Sequence, residues 1–255
     1  MNLEKLRTPS PHKRDLLFLS LTGVFITSLV LGNVVGTTKF ISFFSINLPG
    51  WLQSVTPELV REGSIYTMSI PVGLLAYPFT FMATDLISEL FGRKKAQMVV
   101  WIGFFLNMYM LFLMSVGHWF PDSYGVSGGL NLFEGVYEFV IANTISSMIA
   151  YLIAQSVDVK IFHYLKRSTG GRYLWLRNNG STMFSQLIDS TAILSILFLT
   201  GNLGDNITTV GALIILIANS YIFKFFFALF DTPIIYAAVW FFKDYNEDPE
   251  VEGLY

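Results

Sequence analysis

Apolar residues gather into six long stretches, near 16 to 38, 68 to 91, 96 to 117, 137 to 160, 180 to 201 and 207 to 231, and most of the charge lies between them. A helix needs about 20 residues to cross a hydrocarbon core roughly 30 Å thick. The pattern therefore predicts an all-α polytopic membrane protein with six transmembrane helices. Two of these spans read as interrupted. Pro71 and Pro78 fall inside the second, where each removes a backbone donor and tends to kink a helix. In the sixth, Pro233 follows Asp231 and Thr232, and IIYAAVWFF then continues the apolar run. As one helix, Ile207 to Phe242 would extend about 54 Å at 1.5 Å per residue, so a break or strong kink near Asp231 is expected. Interrupted helices in transporters often mark the binding site. The first span is too long for a signal peptide and lacks a small-x-small cleavage site, so it is expected to stay in the mature protein.

Composition agrees with a membrane setting, since 53% of residues are hydrophobic, 16% aromatic and 13% charged, against about 25% charged in soluble domains. With 255 residues and no long polar stretch, residues 1–255 read as a single integral membrane domain. Residues 1–15 form a cytoplasmic N-terminal segment and 244–255 an acidic cytoplasmic tail.

Basic residues give the orientation, because cytoplasmic loops are enriched in Lys and Arg. Lys5, Arg7, Lys13 and Arg14 precede span one, and Arg93, Lys94 and Lys95 join spans two and three. Lys160, Lys166, Arg167, Arg172 and Arg177 join spans four and five, and Lys243 follows the last. The opposite side has only Arg61, in a loop with Trp51, Pro57 and Glu62, the loops around Asp122 and Asp205 carry no basic residue, and the two remaining, Lys39 and Lys224, fall in or at the edge of apolar segments. Both termini are expected to be cytoplasmic.

Polar residues inside the spans are the candidate chemistry, since a charge at the bilayer centre costs about 2.5 kcal/mol or more. Gln155 with Asp158 and Gln186 with Asp189 repeat a Gln-x-x-Asp spacing that puts an amide and a carboxylate on one helix face. Asp85 and Glu89, four apart, do the same with two carboxylates just before the basic cluster at Arg93, where they read either as site groups or as helix-end partners of that cluster. Asp189 and Lys224 lie well inside their spans, and they read either as a solute site or as a structural ion pair. Asp158 counts toward the cytoplasmic end of span four, beside Lys160. Asp231 before Thr232 and Pro233 reads as a helix cap. Asn178 and Asn179, in LRNNGST, read as a cap and turn ahead of span five.

Other signals exclude more than they assert. There is no Cys, so disulfides and thiolate chemistry are excluded. His12, His118 and His163 are scattered, which gives no support to a metal centre or a His-based triad. No cofactor is expected. Gly32 and Gly36 form a G-x-x-x-G that permits close packing within one chain or between two copies as a homodimer. The sequon at Asn206 reads as fortuitous.

Four strings, YPFTFMATDLISELFGRKKA at 77 to 96, AYLIAQSVDVKIF at 150 to 162, LWLRNNGSTMFSQLIDS at 174 to 190 and KFFFALFDTP at 224 to 233, resemble the bacterial queuosine precursor transporters, a branch of the vitamin uptake transporter group. The resemblance covers four of the six spans in order. It implies an inner-membrane protein that imports 7-deazaguanine bases, cyano or aminomethyl, for tRNA queuosine salvage, with lipid as its surroundings and no nucleic acid partner. Within the matching strings, Asp85, Glu89, Gln155, Asp158, Asn178, Asn179, Gln186, Asp189 and Lys224 are the residues carried over as substrate-binding. The chemistry suits such a ligand. A guanine-like edge offers N–H donors beside a carbonyl, which a carboxylate with an amide or ammonium matches. Tyr77, Phe79, Phe81 and Phe184 are candidates to stack on the base. The expected mechanism is alternating access at a mid-membrane site between spans two, four, five and six. Two rivals stand beside it: a substrate-binding subunit of an energy-coupling importer, and an intramembrane enzyme using paired carboxylates, for which no nucleophile or metal motif speaks.

Overall fold

The structure, a computed structural model, describes residues 11–50, 61–121, 132–169, 174–203 and 207–242. The acidic tail, Lys5, Arg7, and the loops around Pro57, Asp122 and Asp205 lie outside these residues. The described chain is mostly helical: α1 (Pro11–Val35), α2 (Tyr77–Phe91), α3 (Arg93–Trp119), α4 (Leu132–Ser168), α5 (Leu174–Leu199) and α6 (Val210–Phe241). Five contain apolar runs long enough to cross a membrane, at His12–Val35, Lys94–Trp119, Phe133–Ala154, Gly180–Leu199 and Val210–Phe230. Large apolar side chains such as Phe105, Phe112, Leu199 and Phe230 are exposed along these helices, as expected of residues that face acyl chains rather than water.

The stretch read as span two differs from the expectation. Ile65–Pro71 is a β-strand, β3, followed by a 3-10 turn at Val72–Ala76 and only then by the 15-residue α2. At about 22 Å, α2 is shorter than a hydrocarbon core. The two prolines explain the boundaries. Pro71, without an N–H, ends the strand, and Pro78 sits in the first turn of α2, where no intrahelical donor is lost. Neither kinks a continuous span.

β3 lies at the centre of a three-stranded antiparallel sheet, between β1 (Phe40–Asn47) and the short β2 (Arg61–Glu62). An all-α reading is corrected on this point. The register runs from Phe40 opposite Pro71 to Asn47 opposite Ile65, with a bulge between Ser42 and Phe44.

The end of the chain differs too. α6 continues through Pro233 to Phe241, where a break near Asp231 was expected, so Asp231 lies within a helix and does not cap one. A proline can be carried inside a membrane helix because neighbouring groups re-satisfy the freed carbonyl.

Two compact units are formed, one within Met1–Gly32, Leu75–Phe112 and Phe226–Tyr255, the other within Asn33–Leu74 and Leu113–Phe225. The first is cored by Phe25, Ala83, Ile87, Leu90, Phe91 and Val99, with the Lys95 ammonium over the Phe18 and Phe91 rings at 5.6 and 5.5 Å. In the second, Leu194, Leu197, Leu203, Leu213 and Leu216 pack where α5 turns into α6.

Within the second unit, two buried contacts hold the segment at the end of α1 against α4. The Asn143 amide on α4 donates to the Asn33 carbonyl at 3.0 Å, and Gly36, at φ +31°, passes so close to that amide that a Cβ would fall 2.5 Å away. Gly36 of the G-x-x-x-G thus serves packing within one chain.

Candidate functional site

α5 carries Gln186, Asp189 and Ser190, three and four residues apart, so they share a face of the helix. On α6, Ser220 and Lys224 are similarly one turn apart. The two helices meet through these residues. Lys224 Nζ donates to Asp189 Oδ2 at 2.7 Å. Asp189 sits at the middle of the Gly180–Leu199 run and Lys224 well inside Val210–Phe230. Each charge alone would be costly there, and the contact offsets much of that cost. The pair is asymmetric: the Lys224 side chain is 4% exposed and that of Asp189 is 25% exposed.

Close to the pair along the two helices lie buried polar groups. Gln186, one turn before Asp189 and Ser190 on α5, is 5% exposed. The hydroxyls of Ser190, next to Asp189, and of Ser220, one turn before Lys224, are buried without a partner among the described residues. Nearly all buried polar groups in native proteins are paired, so a cluster of exceptions calls for a reason such as a ligand or water. With the accessible carboxylate of Asp189, these groups offer donors and acceptors to a flat polar solute.

Further residues that sequence reasoning had passed over complete the neighbourhood. Asn219 on α6 is 2% exposed. Its Oδ1 accepts from the Tyr66 hydroxyl of β3, and its Nδ2 donates to the Ser69 carbonyl at 3.2 Å. Asn219 and Ser220 form a polar pair inside the apolar run GALIILIANSYIF, a signal that could have found them. Nothing comparable marks Tyr66, which sits outside every apolar span.

The remaining candidates are placed as follows. Asp85 and Glu89 lie on α2, in the first unit, one turn apart and both exposed. Gln155 and Asp158 lie on α4, and Asn178 and Asn179 on α5, with side chains outside what is described. Asn178 and Asn179 are within the helix, which starts at Leu174, so the cap-and-turn reading is corrected. The positive charges at Lys160, Lys166 and Arg167 likewise belong to the long end of α4 rather than to a loop.

α4 and α5 form an antiparallel hairpin in which a Cβ on Gly180 would meet Leu165 Cδ1 at 3.2 Å. Counting back equally from that contact brings Gln155 level with Ser190 and Asp158 level with Leu187. The two Gln-x-x-Asp pairs therefore lie within about one turn of each other along the hairpin, closer than counting residues from the span ends had implied. Of the aromatic candidates, the Tyr77 and Phe81 rings meet at 4.3 Å between centroids, tilted by 38°, while Phe79 and Phe184 are exposed. Among the described residues no group of three His, Asp or Glu comes together to hold a metal.

Five helices long and apolar enough to cross a membrane, two of them joined by an ion pair inside their apolar runs, define a multi-pass membrane protein. Residues 71–238 match the family described as "Putative vitamin uptake transporter", and the chain belongs to that family of transporters. It is 28% identical over 183 residues to a protein named "Probable queuosine precursor transporter" from Bacillus subtilis, covering 71% of this chain and 76% of the relative. It is 29% identical over 161 residues to the "Queuosine precursor transporter" of Escherichia coli, covering 58% and 67%. A Haemophilus influenzae relative, "Probable queuosine precursor transporter", is 29% identical over 126 residues, covering 49% and 51%. No solved structure matches the chain. The protein is accordingly a transporter and not an enzyme.

Proposed function

We propose that this transporter imports queuosine precursors, 7-deazaguanine bases bearing a cyano or aminomethyl group, across the bacterial inner membrane by alternating access. The observation that carries the reading is the Asp189–Lys224 contact, with its accessible carboxylate on the helix face that also carries Gln186. Asp189 accepts the N–H donors of the base edge, and Gln186 donates to its carbonyl, the pairing that a guanine-like edge calls for. Lys224 balances the buried charge. Gln155 and Asp158, level with this pair along the α4–α5 hairpin, add a second amide and carboxylate, and Asn178 and Asn179 lie toward the start of α5. A coupling proton is assigned to Asp85 or Glu89. Six spans with both termini in the cytoplasm follow from the basic segments, with the β3–α2 stretch as the second crossing.

The test is uptake of a labelled precursor by cells unable to make one. The Asp189→Asn and Gln186→Ala variants should lose uptake, and normal uptake by both would sink the assignment. Collapse of the proton gradient should stop uptake if Asp85 or Glu89 carries a proton, and persistence of uptake would remove that role.

A further inference from the structure

Asn219 lies at the middle of the Val210–Phe230 run, and both ends of its amide are committed to the β1–β3 hairpin, through the Tyr66 hydroxyl and the Ser69 carbonyl. One turn further along α6, the buried Phe223 ring takes the edge of Phe43 at 5.2 Å and 85°. Phe43 is the residue that the bulge in β1 leaves outside the register. Each strand of the hairpin therefore grips α6 at one of two successive turns, and the residue after the second grip is Lys224.

A hairpin bound to the middle of a membrane span needs an explanation. Non-helical backbone at that depth is stable only where protein surrounds it or water reaches it. The two faces of this hairpin differ accordingly. Tyr66, Met68 and Ile70 alternate on one face, with Met68 and Ile70 buried. On the other, the Ser45 and Thr67 hydroxyls bond across the strands at 3.0 Å in an exposed position, and Ser42 stands opposite Ser69. β3 thus sets Met68 and Ile70 against protein on one face, while the other face is polar.

We propose that Tyr66 and Asn219 are positioning residues for substrate binding. Their grip fixes the rotation of α6, and with it the Lys224 ammonium that orients the accessible Asp189 carboxylate. The geometric reason is leverage. Successive residues of a helix are about 100° apart around the axis, and Lys224 meets Asp189 at 2.7 Å, so a small rotation of α6 breaks the contact or turns the carboxylate. This rests on the reading that Asp189 and Gln186 contact the base, and the experiment separates the two.

Binding of labelled 7-cyano-7-deazaguanine to purified full-length protein is measured alongside thermal unfolding for Asp189→Asn, Tyr66→Phe and Asn219→Asp. Tyr66→Phe removes one hydroxyl; Asn219→Asp keeps an acceptor for Tyr66, loses the bond to Ser69 and adds a carboxylate whose cost appears in the unfolding midpoint. Asp189→Asn should abolish binding. Tyr66→Phe should weaken it about fivefold, the scale of one hydrogen bond, with little change in unfolding midpoint. A merely structural bond would lower the midpoint and leave the affinity of the folded protein unchanged. Loss of binding in Asp189→Asn with native affinity in Tyr66→Phe overturns the positioning role and leaves the site standing. Native affinity in Asp189→Asn overturns both. If Tyr66→Phe does not fold, Asn219→Asp is read by the same criteria.

Discussion

Lys224 and Asp189 are bonded at 2.7 Å, yet the ammonium is almost wholly buried and a quarter of the carboxylate side chain is exposed. The two partners therefore have different work to do. Lys224 is enclosed by the protein, and Asp189 is the partner left accessible.

Single neutralisations should destabilise the protein, because each leaves one uncompensated buried charge, at a cost of about 3–5 kcal/mol. Asp189→Asn should be the worse of the two for folding, since it takes the carboxylate from an almost wholly buried ammonium, whereas Lys224→Met leaves a carboxylate that is a quarter exposed. The double variant Asp189→Asn with Lys224→Met should recover much of the unfolding midpoint and none of the uptake. Thermal unfolding in detergent, paired with uptake in cells, checks both halves.

Gln186 should separate function from stability. The residue is 5% exposed and no side-chain contact among the described residues is assigned to its amide, so an apolar residue of similar size keeps the packing and removes only the polar group. Gln186→Leu is expected to change stability by less than about 1 kcal/mol, or to raise it, while uptake falls tenfold or more. A large drop in unfolding midpoint would show that the amide has a structural partner.

Two glycines should respond unequally to alanine. At Gly36 a Cβ meets the Asn143 amide at 2.5 Å in a backbone of φ +31°, so the clash and the strain add, for about 2–3 kcal/mol lost. At Gly103 the nearest atoms are the ends of the Leu29 and Phe25 side chains at 2.8 Å, which can move aside. Gly103→Ala should cost about half as much or less. Paired unfolding curves check the order, and Asn143→Ala should relieve only the steric part at Gly36.

The natural chain has no cysteine, so engineered thiols report topology directly. Trp119 ends α3 and is 86% exposed, and Ser168 ends α4 and is exposed. In intact cells an impermeant maleimide should label Trp119→Cys and spare Ser168→Cys until the membrane is opened. The reverse pattern would invert the orientation drawn from the Lys and Arg distribution.

Hydropathy located the membrane runs well where apolar length and helical backbone coincide, as in α1, α3, α5 and α6. It failed over Ile65 to Ala76 because a window average measures the cost of transfer from water and is blind to backbone conformation. The strand signal was present in IYTMSIP, with Tyr66, Met68 and Ile70 alternating before a proline, but it was averaged into the apolar run that follows. Asp189 and Lys224 stood out because an ionised group deep in a span is expensive wherever it occurs. Asn219 and Ser220 did not, since a neutral amide or hydroxyl costs far less and is easily passed over.

Residue chemistry along the chain was enough to determine a helical membrane protein, the basic segments expected to face the cytoplasm, and the short list of groups too polar for lipid without a purpose. Those properties depend on each residue's own transfer free energy and need no knowledge of its neighbours. Which carboxylate meets which cation, that Gly36 packs against Asn143, and that a hairpin grips the middle of α6 were decided only by the tertiary structure. Each is a contact between residues tens of positions or more apart, and its energy exists only once the chain has brought them together.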